Sequence, residues 1–242
     1  MLAAKSGAHY ALLLSLCLTG VLVSGAAAQG SGLIYAYGED EILKEGELIG
    51  EGNWSCLWLG YGSGYVSKDI LGLTPKASTA PSQTHSALVR SEFALGQNWD
   101  ISVAITTDSQ LRTKKMRGKQ TPAPNPWEVA WLLADMKEDG SAGLYFILKT
   151  NGVELGAYRE TGEQIYLFTG TAPKNRIGTE YSCRLVKIGN QITAFVDGRQ
   201  VAAASLEALG GWPLGNRIGL YTEDAAVRFG PVSVVLADII RE

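Results

Sequence analysis

The stretch "LYFILKTNGVELGAY", residues 144–158, decides how the rest of the chain is read. Two runs of branched and aromatic residues flank Asn151-Gly152. An Asn-Gly pair in that setting is the strongest short-range signal for a β-hairpin, because both turn positions favour positive φ. A two-residue turn there pairs Thr150 with Val153 and sets the rungs Lys149–Glu154, Ile147–Gly156 and Tyr145–Tyr158. Side chains alternate along a strand, so these rungs share one face. Leu144, Phe146, Leu148, Val153, Leu155 and Ala157 fall on the other, which is the core side.

Upstream, "PNPWEVAWLLAD", residues 124–135, alternates in the same way. Trp127, Val129, Trp131 and Leu133 fall on one face and Glu128, Ala130, Leu132 and Ala134 on the other. With the tryptophans taken as core, Glu128 joins Tyr145, Lys149, Glu154 and Tyr158 on the open face. Downstream, "YSCRLVKIGNQITAFVDGRQVAAA", residues 181–204, reads as a meander turning at Gly189-Asn190 and Asp197-Gly198, with Cys183, Leu185, Ala194, Val196 and Val201 pointing inward. Further strands are expected near 33–37, 54–60, 85–94, 98–107, 164–169, 216–222 and 225–236, and one helical turn near 205–209 with Ser205 as its cap. Segments 74–84 and 108–126 read as loops. Short strands punctuated by 29 glycines, with almost no helical periodicity, define an all-β sandwich or barrel.

Residues 1–28 combine Lys5 and His9, an apolar run from Ala11 to Val23, and small residues up to Ala28, the pattern of a secretory signal peptide. Taking 28 from 242 leaves 214 residues, expected to form a single sandwich domain over 29–242. Of the 21 basic and 24 acidic residues only Lys5 lies in 1–28, so the balance of the remainder is acidic and argues against a nucleic-acid partner. No second apolar run long enough to span a bilayer follows, so no transmembrane segment is expected and the destination is secreted or periplasmic. Cys56 and Cys183 are compatible with one disulfide or with two buried thiols.

"NPWEVAWLLAD", "YFILKTNGVELG", "IGTEYSCRLVKIGNQITAFVDGRQV" and "RIGLYTEDAAVRFGPVSV" together resemble the concanavalin A-like lectin/glucanase superfamily. The resemblance is nearest to bacterial exported jelly rolls of the family 16 glycoside-hydrolase-like and 3-keto-disaccharide-hydrolase-like kinds. It implies a two-sheet antiparallel jelly-roll sandwich with a glycan on its concave sheet. Family 16 enzymes carry three alternating carboxylates on a concave strand; here Glu128 matches the first, while Ala130 and Leu132 stand at the next two positions. The resemblance also implies a structural calcium, with Glu223 and Asp224 as candidate ligands, and no other cofactor.

Two readings of the open face follow. Glu128, Tyr145, Lys149, Glu154 and Tyr158 form either a polar and aromatic lining for a polysaccharide or oligosaccharide, or a solvated sheet face. In "LRTKKMRGKQ", residues 111–120, the cations Arg112, Lys114, Lys115, Arg117 and Lys119 either grip an anionic glycan or form a solvated loop. There is no G-x-S-x-G elbow and no cysteine/histidine spacing for zinc. The leading expectation is an exported carbohydrate-binding jelly roll. The alternatives are a polysaccharide or keto-disaccharide hydrolase or lyase with Glu128 as acid/base, and a cell-envelope protein-interaction domain.

Overall fold

The computed structural model describes residues 32–80 and 82–236. The signal peptide expected over 1–28 lies outside them. In chain order the strands are β1 (Leu33–Tyr35), β2 (Glu41–Ile42), β3 (Leu48–Ile49), β4 (Trp54–Trp58), β5 (Ser63–Ser67), β6 (Ile70–Thr74), β7 (Ser86–Ser91), β8 (Trp99–Gln110), β9 (Thr113–Met116), β10 (Lys119–Pro122), β11 (Ala130–Met136), β12 (Gly143–Lys149), β13 (Gly152–Tyr158), β14 (Gln164–Gly170), β15 (Glu180–Ile188), β16 (Gln191–Val196), β17 (Arg199–Ser205), β18 (Arg217–Glu223), β19 (Ala225–Phe229) and β20 (Val232–Leu236). One sheet runs β17-β16-β15-β8-β19-β6-β5-β2, with β20 beside β8 and β1 beside β20; the other runs β14-β13-β12-β11-β18-β7-β4-β3. Pairing is antiparallel throughout, giving a two-sheet jelly-roll sandwich. Among the described residues no helix is long and apolar enough to cross a membrane.

Alternation places one face of each sheet against the other. Leu132, Phe146, Leu155 and Leu220 from the eight-stranded sheet meet Leu71, Ile101, Leu185 and Phe229 from the ten-stranded sheet in a shared buried core. Cys183 points inward as expected; both Cys56 and Cys183 are free and buried. Burial pushes each thiol up to about 12, so neither is a reactive thiolate near neutral pH. In the meander, a register shift between Ala194 and Phe195 seats Ala202 in the core, with Val201 partly buried against it. Ser205 caps the 3-10 turn Leu206–Leu209, its hydroxyl accepting from the Glu207 amide.

The central hairpin forms, but its turn is Thr150-Asn151: Lys149 faces Gly152, Ile147 faces Glu154 and Tyr145 faces Gly156. The expected Tyr145–Tyr158 rung is therefore absent. A slip of two residues leaves every side chain on its face, whereas a slip of one would reverse them all. Gly152 is needed beside β14 instead of in the turn, because a Cβ there would lie 1.9 Å from the Gly170 carbonyl oxygen.

Two further differences concern length. The expected loop 108–126 contains the β9–β10 hairpin, turning at Arg117-Gly118 with both residues at positive φ. The expected strand 225–236 divides at Gly230-Pro231, where proline supplies no N–H. Long β8 receives β19 along Ile105–Gln110 and β20 along Trp99–Ser102, and the Gly230 amide donates to the Ala104 carbonyl between them.

Candidate functional site

Strand β11 alternates as its sequence indicates, but with the sides exchanged. Trp131 pairs with Ile147 and Leu133 with Tyr145, so Trp131 and Leu133 lie on the outer face of the eight-stranded sheet. Ala130, Leu132 and Ala134 face the interior. The reason is that the outer face is itself apolar: Leu88, Val129, Trp131, Leu133, Met136, Tyr145 and Ile147 form a second buried cluster. Size and hydrophobicity alone thus favoured the wrong side.

Glu128 follows the inner face and is fully buried, not part of the open lining. Its carboxylate accepts from Arg112 Nε, from the Asn125 amide at 2.9 Å and from Asn125 Nδ2 at 2.8 Å. Arg112 also donates to Asp224 at 2.8 Å, to the Ala80 carbonyl at 3.0 Å and to Thr84 at 3.3 Å. Arg112 is accordingly a buried clamp joining three loops rather than a groove cation. A charge taken from water in this way persists only when paired and hydrogen-bonded, and here each partner is. Lys114, Lys115, Arg117 and Lys119 remain exposed on the β9–β10 hairpin.

Glu223 and Asp224 do not combine into a calcium site. Asp224 is committed to Arg112 and to the Ser78 amide, while Glu223 accepts from the Tyr221 hydroxyl at 2.7 Å. Calcium takes six to eight oxygens. Among the described residues no group of three or more acidic, cysteine or histidine side chains is disposed to hold a metal ion.

The remaining expected residues do come together. Register aligns Glu154, Ile147, Trp131, Tyr221 and Leu88 in one line across β13, β12, β11, β18 and β7. Tyr145 lies across Gly156, where a Cβ would be 2.5 Å from its hydroxyl oxygen, and donates to Glu154 at 2.9 Å. Lys149 donates to the other Glu154 oxygen at 2.6 Å. Glu154 is thereby fixed in position by two neighbours on the hairpin.

Above this line lies an open cavity of about 520 Å³, bounded by Trp127, Trp131, Lys149, Glu154, Gln164, Tyr166 and Glu223. Trp127 and Tyr166 are exposed large aromatics on this lining, 44% and 60% accessible. A smaller cavity of about 160 Å³ adjoins it, sharing Trp131, Gln164 and Glu223 and continuing to Trp58, Tyr158 and Tyr221. Burial raises the Glu223 pKa; the Tyr221 hydrogen bond opposes the rise, Asp224 and Glu128 behind it add to it, and Arg112 opposes it. Trp58, Trp131, Tyr166 and Tyr221 were not singled out as site residues from sequence. The alternation signal reached Trp131, on the wrong side.

No protein-family model matches the sequence, and no curated protein matches it. Solved structures do match the fold. The carbohydrate-binding module CBM66 from Bacillus subtilis superposes with a TM-score of 0.52 at 12% identity, over 79% of this chain and 98% of that one. The exoplasmic/lumenal domain of VIP36, in a Ca2+/Man-bound form, gives 0.53 at 9% identity over 83% and 91%. A structure from work on endo-acting O-glycanases of the human gut microbiota gives 0.52 at 10% over 82% and 98%. The chain has the concanavalin A-like lectin fold. At these identities the likeness extends to the fold alone.

Proposed function

We propose that this chain binds a glycan in the groove on the outer face of its eight-stranded sheet. The observation that carries the reading is the pair of exposed rings, Trp127 and Tyr166, bordering a 520 Å³ cavity whose floor holds Trp131 and whose walls hold Glu154, Lys149 and Gln164. Sugar rings present C–H faces that pack on aromatic rings and hydroxyls that bond to fixed polar groups; a preformed cleft with few oriented polar groups is the usual form of such sites. The names of the structural neighbours, a carbohydrate-binding module and a Ca2+/Man-bound form of the VIP36 exoplasmic/lumenal domain, support the same class of ligand. So does the secretory signal read over residues 1–28, which would carry the chain to where polysaccharides are met. A single domain over 29–242 remains part of this proposal.

Binding is favoured over cleavage. Glu128, the residue matched to a catalytic carboxylate, is enclosed and ion-paired. The groove carboxylates Glu154 and Glu223 stand on β13 and β18, three strand spacings apart and two residues out of line, about 16 Å at their backbones. Retaining hydrolysis needs carboxyl groups about 5 Å apart. A protein-docking face would instead present a continuous exposed apolar patch; here the exposed rings are interleaved with charged and amide side chains. The test is a glycan array followed by calorimetry on the hits with the wild type and Trp127→Ala. Saturable binding that the substitution weakens supports the proposal, and absence of any glycan binding across a broad array overturns it.

A further inference from the structure

The smaller cavity is walled by four aromatic side chains, Trp58, Trp131, Tyr158 and Tyr221, and one carboxylate, Glu223. Each aromatic donor is already used within the protein. Trp58 Nε1 donates to Ser86 at 3.1 Å, Trp131 Nε1 to the Trp127 carbonyl at 2.9 Å, Tyr158 to the Gly140 carbonyl at 3.1 Å and Tyr221 to Glu223 at 2.7 Å. The aromatic walls therefore offer π surface and oxygen lone pairs; the side-chain donors left on the lining are the Gln164 amide and Arg159, whose Nε has no hydrogen-bond partner.

Charge points the same way. Behind Glu223, the carboxylates Glu128 and Asp224 share a single guanidinium, Arg112, so this wall holds three carboxylates against one fixed cation. Arg159, a cation on the cavity lining, is ion-paired through Nη2 with Glu163 and lies 4.7 Å from the Trp212 ring centroid. Across the groove, Lys149 is matched by Glu154. Aromatic faces carry negative potential and attract cations, most strongly where water is excluded.

We propose that this compartment receives an organic ammonium group. Resting on the glycan reading above, the ligand class is a sugar chain bearing a protonated amine, an unacetylated amino sugar. Its ammonium sits between the ring faces and Glu223, and the neighbouring residues of the sugar chain lie along Trp127 and Tyr166. An anionic glycan would meet Glu223 and the uncompensated charge behind it and is disfavoured, whatever the exposed lysines of the β9–β10 hairpin attract.

The test compares glucosamine and N-acetylglucosamine oligosaccharides of equal length by calorimetry on the full chain. Tetramethylammonium chloride serves as a competitor, because its charge does not depend on pH. The amine form is expected to bind about tenfold more tightly, the scale of one well-shielded cation–ring contact. Glu223→Gln, which keeps an acceptor for Tyr221, should remove most of that preference, and tetramethylammonium should displace the amine form. Equal or tighter binding of the acetylated form overturns this inference and leaves the glycan reading standing. If tetramethylammonium quenches tryptophan fluorescence saturably while neither oligosaccharide binds, the ammonium site stands and the glycan reading falls. The wild-type comparison decides the matter even if Glu223→Gln does not fold.

Discussion

Strand β11 presents Ala130, Leu132 and Ala134 to the sandwich interior and Trp131 and Leu133 to the groove, and all five side chains are buried. The inner set is small on average because a second sheet lies opposite and fills the space. The outer set has no sheet above it; it is covered by neighbours on its own sheet, Tyr145 and Tyr221 packing on Trp131 at ring-centroid distances of 5.2 and 5.4 Å. The two faces differ likewise in how they hold a carboxylate. Glu128 is enclosed with Arg112 in a network that ties loops together, whereas Glu154 is held by Tyr145 and Lys149 at the wall of an open cavity. An outer sheet face can therefore be as apolar as a core, and what separates the two is what lies opposite.

The sharpest way to break this contrast is to remove the inner cation. Arg112→Ala leaves Glu128 and Asp224 buried without their partner and should cost about 3 to 5 kcal/mol in urea denaturation; a loss near zero would mean that the clamp is solvated. Leu132→Ala, on the same inner side, should cost about 2 to 5 kcal/mol by the same measurement while leaving ligand affinity below the transition unchanged. Moving outward, Lys149→Met unpairs Glu154 at a part-buried site and should lower stability by about 1 kcal/mol, with a measurable weakening of glycan binding in calorimetry. The smallest structural effect belongs to Trp127→Ala, whose exposed side chain is 44% accessible and lies outside the strands. Its unfolding free energy should stay within about 0.5 kcal/mol of wild type, while affinity falls by about tenfold through loss of one stacking surface. If Trp127→Ala instead destabilises the protein as Leu132→Ala does, the division between the faces fails.

Alternation, turn chemistry and glycine spacing were enough to indicate an all-β sandwich, the meander turns at Gly189-Asn190 and Asp197-Gly198, the inward Cys183 and the shared face of Tyr145, Lys149, Glu154 and Tyr158. These are local properties, governed by the two-residue period of a strand and by the φ values a turn demands. Which face of β11 looks inward is not local. It depends on the register Trp131–Ile147 and Leu133–Tyr145 across strands, and with apolar residues on both sides no hydrophobic pattern distinguishes the two choices. Tertiary structure alone also drew Arg112 out of a basic run to meet Glu128 and Asp224, 16 and 112 positions away, since a buried guanidinium is stable only where partners from distant segments converge on it.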